Sequence, residues 1–369
     1  MPTDLSHEKL IAVCNFSYLW LSANKLAEIG LLPWKSLKRG AWGGQEATSM
    51  KAAVVVPTVR RESIARFLDA WRGAFDLHHL IVVEDNPERS FDIHGTGLIH
   101  CSWKEIDQEF GADSWIFPRR TDCIRSYGYY KAYQLAPDMI VTLDDDCYPS
   151  TPTFLEAHYE RLISPARSSS WVSTCKGLLP RGFPYENTSR ESRCVISHGL
   201  WTRSPDYDAV TQLVGSRLDS GFEPINQVIQ RGAYFPMCGM NLAWRPEITP
   251  ALYFLLMGKD WPFDRFGDIW CGVLVKRICD HLGYAITSGE PLVEHQRASN
   301  IWVNLKKEIP AYETNETFWQ AVDSVQLTAT SVGGAYRQLS ENLPLRGEYW
   351  DCLRRSMKIW CDLFPGTRP

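Results

Sequence analysis

The sequence predicts an α/β protein built on a largely parallel sheet, and three observations carry that expectation. The run "KAAVVVPTVR" (51–60) is continuous and β-branched and is stopped by Pro57, the pattern of a strand buried on both faces. The stretch "RESIARFLDAWRGAF" follows with Ile64, Phe67, Leu68, Trp71 and Phe75 at helical spacing, and a second short strand, "HLIVVEDN", comes after it. A third unit repeats the alternation: "DCIRSYGYYKAYQLA" reads as a helix and "DMIVTLDDD" as the strand behind it. In open α/β sheets ligands bind at the carboxyl ends of the strands, where the acidic residues collect here.

In chain order, residues 1–47 read as a helical extension that ends in the Gly-rich, small-residue stretch "KRGAWGGQEATS". Its start, "MPTDLSHEKL", is acidic and polar and lacks the basic n-region and cleavage site of a signal peptide. The apolar patch "LIAVCNFSYLWL" is broken by Asn15 and Ser17 and falls short of the about 20 residues a membrane span needs. Residues 48–310 read as the catalytic domain. From 151 onward that domain turns irregular, with Pro, Gly and aromatic residues around short strand-like runs ("RCVISHGLW", "AYFPMCGMNLAW"), as suits loops enclosing a pocket. Residues 311–369 return to helical spacing and read as a C-terminal helical packing element.

A chain of 369 residues, 44% hydrophobic and 12% aromatic, can bury a sizeable core. Its net charge of -4 gives no reason to expect nucleic acid as a partner. The 11 cysteines are odd in number and form no CxxC pair, so reduced thiols in a cytoplasmic protein are expected rather than a disulfide framework or a zinc cluster.

The chemistry concentrates at "VTLDDDCYPS", where Asp144, Asp145 and Asp146 stand side by side. Hard carboxylate oxygens at a strand end suit Mg²⁺ or Mn²⁺ on a nucleotide diphosphate, while a solvated acidic turn is the competing reading. The basic residues Arg119, Arg120, Arg125 and Lys131 just upstream favour a pyrophosphate. No GxGxxG or GxxxxGK[ST] loop follows any strand, so neither a dinucleotide fold nor a P-loop is expected.

The blocks "VVVPTVRRESIARFLDAWRGAFDLHHLIVVED", "TLDDDCY", "SHGLWTRSPDYDAVTQLV", "FPMCGMNLAW", "GDIWCGVLVKRICDHLG" and "HQRASNIWVNLKKE" occur in order between about residues 52 and 308. Together they resemble the plant reversibly glycosylated polypeptides, which are UDP-arabinopyranose mutases. The resemblance implies a GT-A-like (Rossmann-like) fold with a mixed central sheet. It also implies a metal-dependent, flavin-independent interconversion of pyranose and furanose forms of a UDP- or GDP-linked sugar, bacterial GDP-hexose mutases included. A homo-oligomer is left open.

Carried over residue by residue, the family's DDD falls on Asp144, Asp145 and Asp146, with Asp144, Asp146 and His295 as metal ligands and Asp145 beside the diphosphate. Thr58, Arg60, Glu84 and Asp85 become candidates for base and ribose, and Arg120 and Arg125 for the phosphates. Asp268 matches an acidic position ahead of Trp270 and reads as a base or hydroxyl-binding carboxylate, with a helix N-cap as the alternative. His198, Trp201, Asp206, Gly239 and Asn241 form the expected sugar site. The family carries two arginines ahead of its SHGLW block. The second corresponds to Arg181, expected to be catalytic, but the first falls near Thr174, which puts a covalent arginine intermediate at that position in doubt. A glycosyltransferase and a non-catalytic sugar-nucleotide scaffold are the competing functional readings.

Overall fold

Alternation of side chains along the first strand explains why it is apolar throughout. Ala53 and Val55 enter one core cluster and Ala52, Val54 and Val56 the other, so both faces of the strand are covered. The computed structural model describes residues 50–168, 190–215, 225–296 and 299–366, within a compact unit that begins at Met50. Residues 1–47, with their expected helices, and Thr174 and Arg181 lie outside the described residues.

The first half runs β1 (Ala52–Thr58), α1 (Arg61–Ala70), β2 (His79–Glu84), β3 (Leu98–Cys101), α2 (Trp103–Phe110), α3 (Arg125–Gln134) and β4 (Met139–Leu143). The second half contains β5 (Cys147–Pro149), α4 (Phe154–Ile163), β6 (Pro165–Ser168), β7 (Arg190–Arg203), α5 (Ala209–Gly215), β8 (Gln227–Val228), β9 (Asn241–Trp244), α6 (Gly267–Leu282) and β10 (Ala285–His295). Three helices close the chain: α7 (Ile301–Asp323), α8 (Val332–Asn342) and α9 (Glu348–Asp362).

The sheet order is β3-β2-β1-β4-β9-β7-β10-β5. Neighbours from β3 to β4 are parallel, β9 is antiparallel to both β4 and β7, and β7 and β10 are parallel again. The sheet is therefore mixed, and the architecture is α/β, with helices packed on it. Helix α3 packs flat against it because residue 128 is glycine: a Cβ there would collide with Val55 and Val83.

The C-terminal helices join the same core as the sheet. Trp270 stacks on Phe318 with ring centroids 4.7 Å apart, and Trp360 lies over Tyr253 at 5.3 Å. The expected division at residue 310/311 falls inside α7, whose start is capped by Asn300 accepting from the Trp302 and Val303 N–H groups. No helix among the described residues is long and apolar enough to cross a membrane.

Candidate functional site

Strand β4 is fully buried to Leu143, and the chain then turns through Asp144, Asp145 and Asp146 into β5, with the Cys147 N–H donating to the Asp144 carbonyl at 3.1 Å. Pairing of β5 with β10 sets His295 opposite Cys147, and the Gln296 N–H donates to the Asp146 carbonyl at 3.0 Å. Register alone thus brings a histidine about 150 residues away against the acidic turn.

Two arginines face the three carboxylates. Asp144 accepts from Arg125 at 2.5 Å. Burial would raise its pKa, but the Arg125 guanidinium, with His295 and Arg60 nearby, holds the carboxyl below its usual range. Asp145 is clamped by the Thr58 hydroxyl at 2.6 Å and by an ion pair with Arg60, which ties the end of β1 to the end of β4. Burial still pushes the Asp145 carboxyl up. Asp146 lies 3.5 Å from Arg60 and 3.8 Å from His295, and burial together with the Asp144 charge lifts it to about 6.

His295 Nδ1 sits 2.8 Å from the Ser204 carbonyl. A carbonyl only accepts, so Nδ1 carries a proton, and Nε2 is the ring nitrogen that faces Asp146. Among the described residues no three acidic, imidazole or thiol groups are already gathered as a cation cage. The Asp146 oxygen and His295 Nε2 nevertheless form a donor pair of the kind a divalent cation takes, next to a crowded negative turn.

Arg125 is 2% exposed and serves the interior more than the cleft. It donates to the Gly239 carbonyl at 2.6 Å, to Thr142 at 3.2 Å and to the Asp122 carbonyl at 3.1 Å, besides Asp144. Its place is that of a residue that positions Asp144.

Two hollows lie at this end of the sheet, one of them lined by the turn itself. A cleft of about 550 Å³ runs over the carboxyl ends of β1, β2 and β4, lined by Thr58, Arg60, Asp85, Asn86, Trp103, Arg120, Asp144 and Asp145 among others. Asp85 accepts from the Trp103 indole at 2.7 Å and from the Thr121 N–H at 2.9 Å, so it sets the cleft wall. Arg120 adopts a left-handed backbone (φ 59°) and lies over the Trp103 ring at 5.7 Å. A cavity of about 500 Å³ is lined by His198, Trp201, Asp206, Cys238 and Asp268. Asp206 accepts from the Cys238 thiol at 2.7 Å, and burial raises its pKa. His198 donates from Nδ1 to Ser288 and accepts the Cys238 N–H on Nε2; burial pushes it down to about 4 and keeps it neutral. The Trp201 indole N–H is buried without a partner among the described residues.

Asp268, in the first turn of α6, accepts N–H groups from Gly239 at 2.9 Å and Ile269 at 2.8 Å. Burial, with Asp122 and Asp206 nearby, lifts it to about 7.

Three expected ligands are corrected. Glu84 is fully buried; it gathers Ser90, Asn86 and His100 and so ties the 86–91 loop to β3, with no part of it lining the cleft. Asn241 is also fully buried, donating to the Leu200 and Pro291 carbonyls and accepting from His158, and it locks β9 to its neighbours. Gly239 is small for packing, since a Cβ there would sit 2.6 Å from the Phe254 ring. Sequence reasoning passed over Trp103, Arg265, Cys238 and Glu308. Arg265 stands in the same "RFGDIW" run from which only Asp268 was taken.

The profile described as "Reversibly glycosylated polypeptide" matches residues 48–364. "Probable UDP-arabinopyranose mutase 1" of Pisum sativum is 35% identical over 332 residues, 84% of this chain and 89% of the relative. "UDP-arabinopyranose mutase 3" and "UDP-arabinopyranose mutase 1" of Arabidopsis thaliana are 35% and 34% identical, covering 84% and 86% of this chain and 89% and 92% of their own. Among solved structures a mycobacterial protein overlaps 81% of this chain and 77% of its own at TM-score 0.39 and 13% identity, too distant to bear on function.

Proposed function

The chain belongs to the reversibly glycosylated polypeptide family, and on that premise we propose that it is a mutase interconverting the pyranose and furanose forms of a UDP-linked sugar, UDP-arabinopyranose being the reference substrate. The observation that carries this reading is Asp268, a carboxyl lifted to about 7 in a cavity beside the cleft at the acidic turn.

Ring contraction has a simple ledger. The anomeric C–O bond to the diphosphate breaks and its electron pair leaves with the diphosphate. The old ring oxygen departs from the anomeric carbon and gains a proton, a second hydroxyl loses a proton and takes its place, and the diphosphate returns. No electrons are gained or lost over the isomerisation. One proton moves between two oxygens of the same molecule. An acid near 7 is half-ionised at neutral pH and can both take and return that proton, which is the role assigned to Asp268.

The cleft receives the nucleoside and diphosphate, with Thr58 and Arg60 holding Asp145 in place and Trp103 in its wall. The cavity receives the sugar, with Trp201, His198 and Asp206 as polar contacts and apolar walls that keep out water. Asp146 and His295, with Asp144, would hold Mn²⁺ or Mg²⁺, which when bound supplies positive charge against the diphosphate. Arg181 remains a candidate for stabilising the same charge. The site is tested by incubating the full chain with UDP-sugars and Mn²⁺ without acceptor and following products by NMR. A furanose isomer of unchanged mass is expected. Free UDP, or product only when an acceptor is added, would replace this reading with glycosyl transfer, and binding without turnover would replace it with a scaffold.

A further inference from the structure

We propose that Arg265 is the residue that grips the substrate's diphosphate where the two hollows meet, and that Glu308 anchors it there. This rests on the nucleotide-sugar reading above and adds to it a ligand that none of the assignments so far contains.

Among the described residues Arg265 alone lines both the cleft and the cavity. A molecule with its nucleoside in one and its sugar in the other has its diphosphate at their junction. The Arg265 Nε–H donates to Glu308 Oε1 at 2.9 Å, and its two terminal nitrogens make no hydrogen bond to any described residue. One edge of the guanidinium is thus fixed and the other donors remain for an oxyanion, an arrangement suited to a phosphate's paired oxygens.

The anchor is itself immobilised. Glu308 is 1% exposed, and its second oxygen accepts from the Ala209 N–H at 2.7 Å and the Tyr312 hydroxyl at 2.9 Å. Three parts of the fold therefore converge on one carboxylate: α5, α7 and the segment before α6 that carries Arg265. The Arg265 backbone is left-handed (φ 64°), a conformation costly for a residue with a Cβ, and it is retained at this junction. Its side chain is 32% exposed, enough for a ligand to reach it. Lys307, which also lines the cleft and pairs with Asp264 at 3.1 Å, adds positive charge on the same side.

The test measures UDP and uridine binding by calorimetry in Mn²⁺ for the full chain and for Arg265→Ala and Arg265→Lys. Loss of a charged, two-point phosphate contact should weaken UDP binding by about 10- to 100-fold and leave uridine binding unchanged. Arg265→Lys keeps charge and bulk but not the fork; it decides the matter if the alanine variant fails to fold, with a UDP-selective loss of at least about fivefold expected. UDP affinity equal to the parent in the folded variants overturns the Arg265 assignment alone. A parent that binds neither UDP nor uridine overturns the nucleotide-sugar reading and this inference with it.

Discussion

The acidic turn and the sugar cavity both bury carboxylates, yet they treat them in opposite ways. In the turn, Asp144 faces Arg125, Asp145 faces Arg60, and Asp146 faces Arg60 and His295. In the cavity, Asp206 is met by a thiol and Asp268 by two backbone N–H groups, and neither has an ion pair among the described residues. Counter-charge holds Asp144 below its ordinary range and limits the rise that burial causes at Asp145 and Asp146, whereas the neutral donors of the cavity leave burial to raise Asp206 and to lift Asp268 to about 7. The difference separates charge handling at the diphosphate from proton handling at the sugar.

The comparison can be broken first at the turn. Asp146→Ala removes the oxygen facing His295 and should lower mutase turnover by about 10³-fold. Wild-type turnover in the variant would remove the turn from the mechanism.

The cavity side is sharpened by Asp268→Asn, expected to cost about 10²-fold. In the parent the rate should climb as pH rises to about 7, because Asp268 must be ionised to take the first proton, and the variant should lose that limb. The stability effect has the opposite sense. The folded pKa lies above the ordinary value of 3.8, so the contribution of Asp268 is fully present below about pH 4 and is lost as pH rises through 7. Urea unfolding of Asp268→Asn should therefore show a flatter pH dependence than the parent. An unchanged pH–rate profile would assign the proton to another group.

The smallest effect lies between the two regions. The Gly239 peptide donates its N–H to Asp268 and accepts from Arg125, so it joins the cavity's acid to the turn's cation. Gly239→Ala pushes a methyl into Phe254 and should destabilise the fold by about 1–3 kcal/mol, measured by urea unfolding. Parental stability would show that Phe254 yields and the bridge tolerates a side chain.

Legibility in the sequence followed the range of the interactions. The strands ending at Thr58, Glu84 and Leu143 were visible because each is a local run of residues whose burial on both faces leaves no polar alternative. The acidic turn was visible for the same reason, since three adjacent carboxylates need no partner to be noticed. Glu84 reads as a substrate residue because it ends a strand, and Asn241 because it follows small Gly239, which could allow a sugar close approach. Their carboxylate and amide instead satisfy buried donors and acceptors on distant strands and loops, which no local pattern reveals.

What the sequence by itself determined is the α/β frame, the acidic turn at the end of β4 and the family to which both belong, because these are written in contiguous residues. Only the tertiary structure decided which polar side chains face the hollows and which are consumed in holding the sheet together. It also decided that Arg265 and Glu308, 43 positions apart, act as one unit. The physical reason is that a buried polar group must find a partner wherever the chain brings one, and that partner is set by strand register and helix packing rather than by its neighbours in sequence.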